Sequence, residues 1–160
     1  MTGPRELIVP VDKDTCYVAT TYGSILIDVS TLRIIGNHRL CLRQGYPTFR
    51  NGSEVVSLHR LVNKTPVGMD TDHINGNKLD CRKANLRTCT RQQNGFNRGA
   101  NKNSKTGVVG VCWNTGKGKW QADIRHNRRR IYLGLFDLLA DAIAARKAAE
   151  IKYFGKFSHK

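Results

Sequence analysis

The sequence predicts an α+β fold: a β-rich N-terminal segment leads into a strand–strand–helix unit, and a small three-stranded antiparallel sheet packed on one α-helix follows. Three observations carry this. Residues 5–58 alternate short apolar stretches with turn residues, an Asn75-Gly76 turn is followed by a helix-start signal at Thr90, and from Gly107 three alternating stretches precede one Ala-rich helical stretch. At 160 residues and 18.0 kDa the chain has room for one ordinary core or two small ones.

Taken in order, strands are expected at residues 7–11, 17–21, 25–29 and 39–42. The clearest hairpin joins residues 46–50 to 53–58 through Asn51-Gly52, a pair that suits the positive φ angles of a two-residue turn. A short helix over 58–62, carrying His59 and Arg60, leads through Pro66-Val67-Gly68 into a strand at 69–73. Residues 85–88 form the second strand of the central unit. Thr90 and Gln93 make a capping box, so residues 92–97 occupy the first turns of a helix and Asn94 projects back towards the hairpin. The polar run at 98–106, RGANKNSKT, reads as a linker. Strands then follow at 108–113, 119–125 and 129–136, with Trp120, Ala122 and Ile124 on one face and Gln121, Asp123 and Arg125 on the other. Asp137 is expected to cap a helix that runs to about residue 154 and ends at Gly155, with Ala142, Ala145 and Ala149 on one side. The expected organisation is a first domain at 1–97 (support 1–58, hairpin–helix unit 69–97), a linker at 98–106 and a second domain at 107–160.

The formal net charge is +15, from 27 Lys and Arg against 12 Asp and Glu. Its distribution is uneven, because residues 1–70 carry 8 basic and 6 acidic groups, 71–100 carry 6 and 2, and 101–160 carry 13 and 4. Such a field attracts a phosphate backbone and makes binding salt-dependent. Basic residues on strands and turns, rather than along an amphipathic helix, favour nucleic acid over an anionic membrane. No apolar run approaches the roughly 18 residues of a membrane span, and MTGPRELIVPVDKD lacks a signal-peptide core, so a cytoplasmic protein is expected. Cys16, Cys41, Cys81, Cys89 and Cys112 are odd in number and form no CxxC pair; reduced packing thiols are expected rather than disulfides or a structural zinc site.

Hydrolysing a phosphodiester requires a base and a cation, because water must attack an anion and an alkoxide must leave. Asp72, His73 and Asn94 can supply both: His73 to activate water, and the oxygens of Asp72 and Asn94 to hold a metal. Oxygen ligands favour one divalent ion, Mg2+ or Mn2+, over zinc. Asn85 is expected to fix His73 by hydrogen bonding.

The stretch DHINGNKLDCRKANLRTCTRQQNGFN resembles the HNH (ββα-metal) endonucleases, particularly the phage and intron homing type. The resemblance implies metal ligands at Asp72 and Asn94, a general base at His73 and the hairpin asparagine at Asn85. It also implies hydrolysis to 5′-phosphate and 3′-hydroxyl ends. Cys81 stands where that family commonly has asparagine, and Asn94 where many members have histidine.

GVVGVCW, GKWQADIR, RIYLGLF and the helix ending YFG resemble the APETALA-two/ethylene-response-factor type DNA-binding domain, which phage HNH proteins often bear. This implies a sheet in the major groove of double-stranded DNA, with Arg125, Arg130 and Tyr132 directed at bases or backbone, supported by Trp113, Lys117, Lys119 and Arg128. Cys112 replaces an arginine usual in the plant domains. The expected function is a metal-dependent DNA endonuclease, acting as a monomer or weak dimer with no protein partner, in the host cytoplasm if phage-encoded. The rival is a catalytically inactive, sequence-specific DNA-binding regulator. An RNA-binding protein is disfavoured, since the strands lack an aromatic stacking signature.

Overall fold

The structure, a computed structural model, describes residues 7–158; the first six residues of the expected support segment lie outside that range. The chain is α+β and forms two compact units, Met1–Asn94 and Gly95–Lys160.

In the first unit β1 (Leu7–Pro10), β2 (Thr15–Thr20) and β3 (Gly23–Asp28) form an antiparallel sheet in that order. Helix α1 (Val29–Ile35) follows directly, an element the sequence reading did not contain. The expected strand at 25–29 and the helix share an apolar run; Asp28 separates them by taking extended backbone at the helix N-cap. A second sheet comprises β4 (Cys41–Arg43), β5 (Tyr46–Asn51) and β6 (Glu54–Ser57), with Asn51 paired to Glu54 around the Asn-Gly turn. Helix α2 (Leu58–Asn63) then leads to the two-stranded sheet of β7 (Asp70–His73) and β8 (Leu86–Cys89). One core joins all three sheets through Cys16, Ile25, Ile27, Leu40, Phe49, Leu58, Val62, Cys81 and Leu86.

Asn85 differs from its expected place at the start of β8. It closes a 3-10 turn, Lys83–Asn85, that precedes the strand. The loop between β7 and this turn is tied to the N-terminal sheet: Leu26 donates its N–H to Leu79 O at 2.9 Å, and Cys81 donates to Leu26 O at 2.8 Å. Lys83 adds a backbone N–H to the Asp28 carboxylate at 2.7 Å. The β-rich segment therefore acts as a brace for this loop, and Cys81 is a fully buried part of the joint. Helix α3 (Arg91–Phe96) opens on a reciprocal capping box, in which Thr90 N–H donates to Gln93 Oε1 at 2.9 Å and Gln93 N–H to Thr90 Oγ1 at 3.2 Å.

In the second unit β9 (Val111–Asn114), β10 (Lys119–His126) and β11 (Arg129–Phe136) form an antiparallel sheet with β10 central, and α4 (Leu139–Phe154) covers one face. Val111, Ala122 and Ala142 are the buried centre of one cluster; Ile124, Ala149 and Phe154 form another, against which Phe96 packs. Strand β9 begins three residues later than expected because Gly110 adopts φ 77° and diverts the chain. A bulge shifts the β10–β11 register between Ala122, opposite Gly134, and Asp123, opposite Tyr132. Buried Arg146 of α4 closes this irregularity by donating Nη1 to Asp123 O at 2.6 Å.

The cap of α4 is corrected. Leu138 is the N-cap, without a side-chain hydrogen bond, while Asp137 pairs with Lys119 at 3.0 Å. The helix end is as read, with Gly155 at φ 53°. All five cysteines are free.

Candidate functional site

Strand β7 carries the site. Asp70 and Asp72 lie two residues apart on one face of the strand, and His73 ends it. Asp72 and His73 are both 5% exposed, which shields their interactions from water. In the ladder Asp72 faces Arg87 and His73 faces Leu86. Arg87 donates Nε to Asp72 Oδ2 at 2.7 Å and its Nη2 lies 2.5 Å from the same oxygen. The carboxylate expected to bind a metal is thus held by a guanidinium that sequence reasoning missed, because the pairing of Asp72 with Arg87 depends on the register of the two strands.

The capping box sets the direction of α3, and Asn94 returns to β7. Its Nδ2 donates to Asp70 Oδ2 at 3.2 Å, so the amide lies beside an acid one face-neighbour away from Asp72 and keeps Oδ1 available as an oxygen ligand. Asp70 was missed as well, although its alternation with Asp72 marks it. Among the described residues no group of three or more His, Cys, Asp or Glu is arranged to hold an ion.

Asn85 braces the loop. Its Nδ2 donates to Asn75 Oδ1 at 3.0 Å and Asp80 O at 2.9 Å, its Oδ1 accepts the Asn75 N–H at 3.0 Å, and its backbone oxygen accepts the Ile74 N–H at 2.8 Å. Asp80 is anchored by Arg82 at 2.7 Å and by Asn75 at 2.9 Å. The asparagines of this stretch thus form a cage around residues 74–80, immediately after His73.

Burial holds the His73 imidazole below its ordinary pKa, against the pull of Asp72 and Asp80 and with added repulsion from Lys78. A neutral imidazole can accept a proton, as a general base must. His59, from α2, lies with its ring 5.2 Å from that of His73, and Tyr46 stacks near both. Arg60, next to His59 on α2, donates its guanidinium to Met69 O and Pro66 O.

On the second unit, Arg125 and Arg130 are direct partners across β10 and β11, and Tyr132 opposite Asp123 shares their face. Arg130 also reaches Asp123 at 2.6 Å. Lys119 shares this face and pairs with Asp137, while Lys117 and Arg128 are exposed in turns. Trp113 is different. It pairs with Trp120, so it lies on the side of Val111 and Ala122, 47% exposed at the margin of the helix-covered face.

Residues 58–96 match a family model described as HNH endonuclease. That span contains α2, β7, β8 and α3, hence every residue of the hairpin–helix site. A search of curated proteins and a search of solved structures each found no match.

Proposed function

We propose that this chain is a metal-dependent DNA endonuclease in which Asp72, His73, Asn85 and Asn94 form the reaction centre and the sheet of the second unit engages double-stranded DNA. The observation that carries it is the hydrogen bond by which Asn94 returns to Asp70, on the strand face shared with Asp72, within the segment matched as HNH endonuclease. The donor set of carboxylate and amide oxygens suits a hard divalent ion, Mg2+ or Mn2+. Asp72 and Asn94 would hold such an ion, which would supply positive charge against the charge developing in phosphodiester hydrolysis.

The protein's own part is proton transfer and orientation. Neutral His73 takes a proton from the attacking water, whose oxygen bonds to phosphorus as the 3′ oxygen leaves and takes a proton from solvent, giving 5′-phosphate and 3′-hydroxyl ends. Asn85 acts on His73 through the backbone, because its bonds to Ile74, Asn75 and Asp80 fix the point at which the chain leaves the base. Arg87 orients Asp72 in the manner of an outer-sphere partner. In the second unit, Arg125 lies directly opposite Arg130, which also pairs with Asp123, and this basic face suits a phosphate backbone.

Supercoiled plasmid incubated with Mg2+ is expected to be nicked, with cleavage lost in EDTA. His73→Ala is expected to abolish nicking while DNA affinity stays within about twofold. Wild-type-like nicking by that variant would remove His73 from the mechanism. The regulator reading has one observation on its side, the occupation of Asp72 by Arg87; tight DNA binding without cleavage in any divalent metal would establish it instead.

A further inference from the structure

The reaction as read uses one imidazole and leaves a second beside it without a role. His59 is 8% exposed, and its Nδ1 finds no hydrogen-bond partner among the described residues. Its ring completes a triangle of tilted rings with Tyr46, at 4.9 Å between centroids, and His73, at 5.2 Å, which are 6.0 Å from one another. Helix α2 thus gives its two adjacent side chains different tasks: Arg60 secures backbone carbonyls and the His59 ring packs beside that of His73. A position that only needed an aromatic filler would be better served by phenylalanine, which has the ring without a stranded nitrogen. A buried polar atom with no partner destabilises a fold and requires an explanation, and here it belongs to a ring packed beside that of the group proposed to activate water.

We infer that His59 is a second catalytic imidazole, whose ring nitrogen hydrogen-bonds the attacking water while His73 takes that water's proton. The inference rests on the nuclease reading above. In the step, the proton passes to His73, the water oxygen bonds to phosphorus and the bond to the 3′ oxygen breaks. His59 gains and loses no proton. Burial, with smaller contributions from His73 and Arg60, pushes its pKa down to about 4, so the ring is neutral at physiological pH and offers one donor and one acceptor without adding charge. Tyr46 packs against the same ring, and Lys78 lies with Nζ 4.2 Å from the Tyr46 centroid.

Full-length wild type, His59→Phe and His59→Gln are compared for melting temperature, DNA affinity and steady-state plasmid cleavage in Mg2+. The Phe variant is expected to melt at or above the wild-type temperature and to bind DNA within twofold, yet to show a kcat at least tenfold lower with KM unchanged. Stability and rate moving apart in this way is not the result of lost packing. The Gln variant, which restores a polar atom, is expected to recover part of the rate. Cleavage by His59→Phe within twofold of wild type overturns the inference. Should the Phe variant fold poorly, His59→Leu replaces it, and equal rates for Leu and Gln per folded molecule overturn the inference just as well. Wild-type protein that cuts in neither Mg2+ nor Mn2+ overturns the nuclease reading and this inference with it, whereas an active wild type beside an unimpaired Phe variant overturns this inference alone.

Discussion

At the scale of single residues, the site is governed by how charge is kept in a nearly water-free place. Asp72 is compensated by Arg87, and removing one partner of a buried pair strands the other. Arg87→Met is therefore expected to lower unfolding stability by roughly 3 kcal/mol, read from urea melts. Added Mg2+ should recover more of that loss than it stabilises wild type, because an ion bound by the uncompensated Asp72 favours the folded state. Burial has the opposite charge requirement at His59. Its pKa is lowered from 6.5 to about 4, so the unfolded chain binds the extra proton first. The stabilising effect of keeping it neutral is complete above the unfolded value and is lost as pH falls from about 6.5 towards 4. His59→Phe should flatten the pH dependence of the melting temperature across that window, and an unchanged slope would show that other groups control it.

At the scale of elements, two backbone positions in the second unit are decisive. Gly110 has φ 77°, and a Cβ there would sit 2.2 Å from Asp123 O and 2.6 Å from Arg146 Nη1, both parts of the bulge closure. Gly110→Ala should cost on the order of 3 kcal/mol and selectively lower the melting of this unit, visible in the exchange rates of β9 and β10 amides. The β10–β11 turn places Asn127 at φ 49° and Arg128 at φ 64°. A glycine would accept the second angle without strain, so an arginine at the tip retains charge at the expense of stability. Arg128→Gly is expected to gain about 1 kcal/mol of stability while weakening DNA binding and reducing the salt slope by about one. Equal salt slopes for the two proteins would separate Arg128 from the phosphate backbone.

For the whole molecule, a charge of +15 sets the response to salt more than any single contact. The proposed DNA affinity is expected to fall linearly on a log–log plot against salt, with neutralisation of Arg125 and Arg130 together lowering the slope. Cleavage by those variants at saturating DNA should stay close to wild type, since neither residue belongs to the hairpin–helix site. A drop in saturating rate equal to the drop in affinity would show that the sheet takes part in the chemical step.

Local patterns made much of this legible from the sequence. Asn51-Gly52, the Thr90–Gln93 capping box, the alternation through β10 and β11 and the Gly155 helix end each depend on residues a few positions apart, where backbone preference and side-chain period act directly. The same short-range information identified Asp72, His73, Asn85 and Asn94 as candidates. Partnerships across the chain were less visible: Arg87 on Asp72, Asp70 on Asn94, His59 against His73, and the loop at 79–81 hydrogen-bonded to Leu26. They arise when strands and helices distant in sequence pack together and exclude water, and composition does not encode which buried charge or imidazole will then need a partner. By itself the sequence determined which side chains can do chemistry on this hairpin; only the tertiary structure decided which of them are neutral, compensated or left with a nitrogen to satisfy, because desolvation depends on what surrounds a residue.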